Sequence, residues 1–67
     1  MSTPTGYETE EVANNLVKQA HETLNSPTKE NKQAAKDLFE QAAGIYQNCQ
    51  LPAKAAEAQR QADSIVV

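Results

Sequence analysis

The sequence predicts an all-α fold, a small antiparallel three-helix bundle. Apolar residues recur at helical spacing in three successive segments, Asn25-Ser26-Pro27 and Leu51-Pro52 separate the segments, and no stretch alternates like a strand. The connections are short, so consecutive helices are expected to run antiparallel. With 67 residues, the chain is expected to form one domain over residues 7–67, preceded by a disordered tail at residues 1–6.

The first helix is predicted over about residues 8–24. Two starts are open: Thr5 with Glu8 fits a capping box, and Thr9 ahead of two glutamates is the second. The apolar side chains fall within an arc of about 140°, which is typical of an amphipathic helix with one packed face. They are Val12, Ala13, Leu16, Val17, Ala20 and Leu24.

The second helix is predicted over about residues 27–49, with Ser26 as its cap and Pro27 in its first turn. Its apolar side chains span about 180°, as expected of a helix that touches two neighbours. They are Ala34, Ala35, Leu38, Phe39, Ala42, Ala43, Ile45, Tyr46 and Cys49. Gly44 is expected on the opposite, solvent side, where glycine costs about 1 kcal/mol relative to alanine.

The third helix is predicted over about residues 52–66, because proline disfavours helical geometry in the residue before it. Its apolar residues have the alternating spacing of a short coiled-coil seam. They are Leu51, Ala55, Ala58, Ala62 and Ile65. Alanine in a seam lets two helix axes approach toward the low end of about 8–10 Å.

Aromatic and small residues of the second and third helices stand at fixed intervals. They are Phe39, Ala42, Ala43, Tyr46, Ala55 and Ala62. This spacing resembles a tetratricopeptide (TPR) helix hairpin and covers about half the chain, roughly residues 36–67. The resemblance implies a TPR-like hairpin in the C-terminal half, whose two helices touch at Ala43, Ala55 and Ala62.

Three positions depart from the TPR pattern. Gln59 stands where the family favours an aromatic residue, Gln50 replaces a turn glycine, and Val67 stands where a closing proline would fall. An MIT-like three-helix bundle, of similar size and topology, is the runner-up resemblance. That family binds short helical tails of membrane-remodelling proteins.

The TPR resemblance also implies a binding surface, since the first helix of a TPR hairpin lines the concave face. In this sequence that face would carry Asp37, Glu40, Gly44, Gln47 and Asn48. It contains no lysine or arginine, which favours a neutral or basic segment of another protein as the ligand. The equally open alternative is that these residues are simply solvated.

The expected function is therefore that of a non-catalytic protein–protein interaction module or small adaptor or regulator. One alternative is a self-assembling structural protein, a homodimer through the third helix, with Leu51, Ile65, Val66 and Val67 at the interface. The other is a small inhibitor that occupies a larger protein, with its acidic N-terminal helix against a basic surface.

The sequence lacks the features that other functional classes require. A net charge of −3 without a basic stripe disfavours nucleic acid, and no apolar stretch approaches the length needed for membrane insertion. One histidine and one cysteine are too few for a conventional structural zinc site, and no phosphate loop or other cofactor motif occurs. The single cysteine and the lack of a secretory signal favour the cytoplasm, and the initial Met favours a complete chain.

His21 and Cys49 suggest a nucleophile and a base, and the predicted fold opposes that interpretation. His21 lies near the end of the first helix, and Cys49 ends the second, about 27 Å away at 1.5 Å per residue. We therefore expect no catalytic residues and no enzymatic activity. Cys49 is expected to pack in the core and His21 at its boundary.

Overall fold

The computed structural model describes residues 9–67, which form three α-helices and no strand. They are α1 (Glu10–Thr23), α2 (Lys29–Asn48) and α3 (Pro52–Ser64). The predicted all-α class is confirmed. The expected tail, the capping box of Thr5 and Glu8, and Tyr7 lie outside the described residues.

The central helix is α2, which packs against both other helices, while α1 and α3 contact each other little. Two side-chain contacts show the relative direction of α1 and α2. Tyr46 bonds to Asn14 and the ring of Phe39 meets that of His21, so α1 and α2 are antiparallel. The Cα atoms extend over 40 × 21 × 14 Å.

Alanine dominates the interior. The buried alanines are Ala13, Ala20, Ala35, Ala42, Ala43, Ala55, Ala58 and Ala62. Phe39 is 1% exposed and is the one large side chain among residues 9–67 that is fully enclosed, while Tyr46 is 5% exposed. Small side chains let the helices approach closely, but each contributes little apolar area. The stability of the bundle therefore depends strongly on these two aromatic rings.

Threonine caps both α1 and α2. The Thr9 hydroxyl accepts from the Val12 N–H at 3.3 Å, so the second of the two proposed starts is the one found. The prediction of Ser26 as the α2 cap is wrong, because the Thr28 hydroxyl accepts from the Asn31 N–H at 3.1 Å. Pro27 therefore precedes the helix rather than lying in its first turn. The Ser26 carbonyl accepts instead from Asn31 Nδ2 at 2.6 Å.

The connection between α2 and α3 closes with a Schellman motif. The Leu51 N–H donates to the Tyr46 carbonyl at 2.8 Å, and the Gln50 N–H donates to the Gln47 carbonyl at 2.9 Å. Gln50 carries the left-handed backbone conformation, with φ 61°. Glycine is the usual residue at this position, so Gln50 holds a strained backbone.

The third helix ends at Ser64, two residues before the predicted end at residue 66. Ile65 is extended, with ψ 119°, and Val66 and Val67 follow it at 79% and 51% exposure. Three consecutive β-branched residues have lower helix propensity than the alanines before them, which accounts for the earlier end.

Candidate functional site

All five residues proposed from the sequence as a partner surface are exposed on α2. Glu40, Gly44 and Asn48 lie one turn apart and line a shallow depression of about 330 Å³. Gln41 and half-buried Ile45 complete its lining. Asp37 and Gln47 lie outside the lining of this depression. We call it the α2 depression.

Gly44 forms the floor of the α2 depression. A Cβ on this residue would meet no atom of residues 9–67 within 4 Å, so neither packing nor backbone geometry in that part of the chain requires glycine here. Because glycine is less favourable than alanine in a helix interior, the residue lowers the stability of α2. The absence of a side chain at Gly44 leaves the α2 backbone accessible from outside the chain.

The rim of the α2 depression is acidic. Glu40 is half exposed and lies 3.9 Å from Lys36, whose ammonium group also donates to the Ala62 carbonyl at 3.0 Å. At 3.9 Å the exposed Lys36–Glu40 ion pair is long, so Lys36 offsets the charge of Glu40 only in part. Asp37, one turn earlier on α2 and outside the lining, accepts from Gln33 Nε2 at 3.2 Å. A neutral or cationic ligand suits this surface better than an anionic one.

A second concave surface lies on the other side of α2 and is lined by residues of all three helices. This α1–α3 cleft has a volume of about 210 Å³. Its lining comprises Asn14, Val17, Tyr46, Lys54, Glu57, Ala58 and Gln61. The Tyr46 hydroxyl donates to Asn14 Oδ1, and Lys54 forms an ion pair with Glu10 across the end of the cleft.

Charges and burial set the protonation of the α1–α3 cleft. Burial raises the pKa of Tyr46, against the opposing effect of Lys54, whose ammonium lies 5.9 Å from the ring centroid. The hydrogen bond to Glu10 raises the pKa of Lys54. At neutral pH the cleft therefore holds a neutral phenol and a lysine already neutralised by its carboxylate partner.

Sequence reasoning missed part of both surfaces. Gln41 and Ile45 were not assigned to the α2 depression, although Ile45 directly follows the exposed glycine. The α1–α3 cleft was not foreseen, because the apolar arcs of the separate helices do not reveal how α1 and α3 are placed relative to each other. The hydrogen bond from the Tyr46 hydroxyl to Asn14 of α1 could not be predicted from the spacing of apolar residues.

His21 and Cys49 occupy separate parts of the molecule. The His21 ring meets the Phe39 ring edge-to-face, with centroids 5.3 Å apart. Cys49 follows Phe39 by ten residues, or about 15 Å along a helix axis. This separation prevents direct proton transfer between the two side chains. Among residues 9–67, no group of three or more His, Cys, Asp or Glu side chains could hold a metal ion.

Comparisons with protein-family models, curated proteins and solved structures found no match. None of the three helices is long and apolar enough to cross a membrane. The fold and its surfaces therefore define the chain as a small all-α three-helix bundle with two concave surfaces on opposite sides of α2.

Proposed function

We propose that the chain is a non-catalytic protein–protein interaction module, a small adaptor or regulator, which binds a segment of another protein through the α2 depression. Gly44 is the observation that carries the proposal. Its missing side chain leaves open space within 4 Å, at an internal cost to the helix of about 1 kcal/mol. We infer that the backbone of a partner approaches α2 closely at Gly44 and occupies this space.

The chemistry of the α2 depression indicates its partner. Half-buried Ile45 offers an apolar contact beside Gly44, while Glu40 and Asp37 supply negative charge along the same helix. A helical or extended segment with a small residue at the crossing point and a cationic side chain one turn away would satisfy both features. This is the neutral or basic segment expected from the sequence.

A TPR-like arrangement of α2 and α3 remains part of the proposal. Two features support it: the helices are antiparallel, and the small residues at its expected contact points, Ala43, Ala55 and Ala62, are buried. In that arrangement α2 is the helix that would face the ligand. The proposed compartment is the cytosol, since the single Cys49 suits reducing conditions.

Charge substitution tests the proposed surface. The double variant Glu40→Arg with Gln47→Arg reverses the charge along the α2 depression without altering the core. The matched control, Gln19→Arg with Glu22→Arg, makes the same change on the exposed face of α1. We expect the α2 variant to lose capture of a specific partner at least tenfold while the control retains it. Intact capture by the α2 variant would exclude this surface.

Self-assembly is the second function that a specific observation favours. Val66 and Val67 expose apolar side chains beyond the end of α3, whereas Leu51 and Ile65 are already half buried against the core. A homodimer would therefore use the chain after α3 more than the helix itself. Light scattering over a hundredfold range of concentration tests this, and a monomer throughout the range would reject it.

A further inference from the structure

We propose that the α1–α3 cleft is an anchor site for one arginine side chain of a partner protein. The cleft lies on the side of the molecule away from the α2 depression, so this second contact is independent of the function proposed above. Its volume of about 210 Å³ is below the range of about 300–1,000 Å³ typical of small-molecule and cofactor sites. A single long side chain is an occupant of suitable size.

The charged residues in and beside the cleft favour a cationic ligand. Its two charged lining residues are Lys54 and Glu57. Lys54 is already paired with Glu10, while Glu57 forms no hydrogen bond or ion pair with any other residue in the range 9–67. Glu57 also acts on Lys54 at longer range, so two carboxylates (Glu10 and Glu57) face one ammonium group, which gives this part of the cleft a net charge of −1. An entering carboxylate would meet Glu57 and compete with Glu10, whereas a cation would complete the charge balance.

The walls of the cleft match the rest of an arginine side chain. Val17 and Ala58 line it with apolar groups that can cover the methylene stem. Glu57, Gln61 and the Tyr46 hydroxyl supply oxygen acceptors for the head group. A planar guanidinium offers several N–H donors in a fixed arrangement, so it can bond to more than one of these acceptors at once and suits this site better than lysine.

The test is an NMR titration of the intact chain with N-acetyl-arginine amide as the probe. N-acetyl-citrulline amide is the matched control ligand, because its side chain has the same length and shape without the charge. We expect the arginine probe to shift the backbone amide signals of Asn14, Ala58 and Gln61 at millimolar concentration. The citrulline probe should bind at least about tenfold more weakly.

Two isosteric variants complete the experiment. Glu57→Gln should weaken the arginine probe about tenfold, whereas Glu22→Gln, which removes an exposed carboxylate of α1 outside both concave surfaces, should leave its affinity unchanged. Equal binding of both probes, unchanged binding to the Glu57 variant, or no cleft shifts up to the solubility limit would each overturn the proposal. Partner capture through the α2 depression does not depend on any of these outcomes.

Discussion

Replacement of Gly44 by alanine is expected to make the chain more stable. The residue lies inside α2 with no unusual backbone conformation, and the added methyl group would meet nothing within 4 Å. Glycine is less favourable than alanine in a helix interior by about 0.8–1.0 kcal/mol, so the free energy of unfolding should rise by about that amount. For a domain of this size, that corresponds to an increase in Tm of about 4–8 °C.

The reverse substitution at Ala34 provides a matched control. Ala34 is also exposed inside α2, so Ala34→Gly should lower the free energy of unfolding by about 1 kcal/mol. The two positions are ten residues apart, about 15 Å along the helix, and their effects should add. The double variant should therefore unfold near the wild-type midpoint.

Urea denaturation followed by far-UV circular dichroism measures all four proteins. A Gly44→Ala variant that is less stable than wild type, while Ala34→Gly behaves as expected, would refute the reasoning. It would mean that the backbone at Gly44 is not in open surroundings. The same variant should weaken partner capture, because its methyl group fills the floor of the α2 depression.

Three further outcomes follow from the fold, and denaturation curves check each. Gln50→Gly should stabilise the chain by about 1 kcal/mol, because glycine relieves the left-handed strain at the end of α2; no gain would contradict the assigned strain. Phe39→Ala should cost about 3–5 kcal/mol. The free energy of unfolding of the wild-type chain, at about 0.05–0.15 kcal/mol for each of 67 residues, is about 3–10 kcal/mol, so this variant is expected to be substantially unfolded. A cost under about 1 kcal/mol would contradict the central place of this ring. Stability should also fall as the pH rises above 10, because burial holds the pKa of Tyr46 above its ordinary value of 10.0. As the pH rises, the Tyr46 hydroxyl therefore loses its proton in the unfolded chain before it does so in the folded chain. Tyr46→Phe should reduce the loss of stability with rising pH. The pKa of Lys54, raised above 10.5 by Glu10, acts in the same direction, since the ion pair is lost as Lys54 deprotonates. Constant stability across this range would contradict both assignments.

Hydrophobic periodicity was sufficient to predict the three helices. The spacing of the α3 alanines identifies its buried face, and Ala55, Ala58 and Ala62 are all buried. Helix ends were predicted less well, because they depend on competing local bonds. Ser26 and Thr28 are both good capping residues, and Pro27 is compatible with a start at either, so the sequence alone does not decide between them.

The two concave surfaces differ in how far the sequence could reveal them. Gly44 falls opposite the apolar arc of α2, so its exposure could be predicted from helical spacing alone. The α1–α3 cleft depends on the angle between two helices that share a neighbour. Alanine-rich faces are compatible with several such angles, so side-chain spacing does not specify the cleft.

Site-specific photo-crosslinking tests most directly the central claim that the outward face of α2 contacts a partner. A benzophenone side chain would replace Gln47, beside the α2 depression, and in a second protein the exposed Gln19 of α1. After irradiation in native extract, we expect a discrete crosslinked protein from the Gln47 position and none from the Gln19 position. No product at Gln47, or the same product from both positions, would contradict the claim.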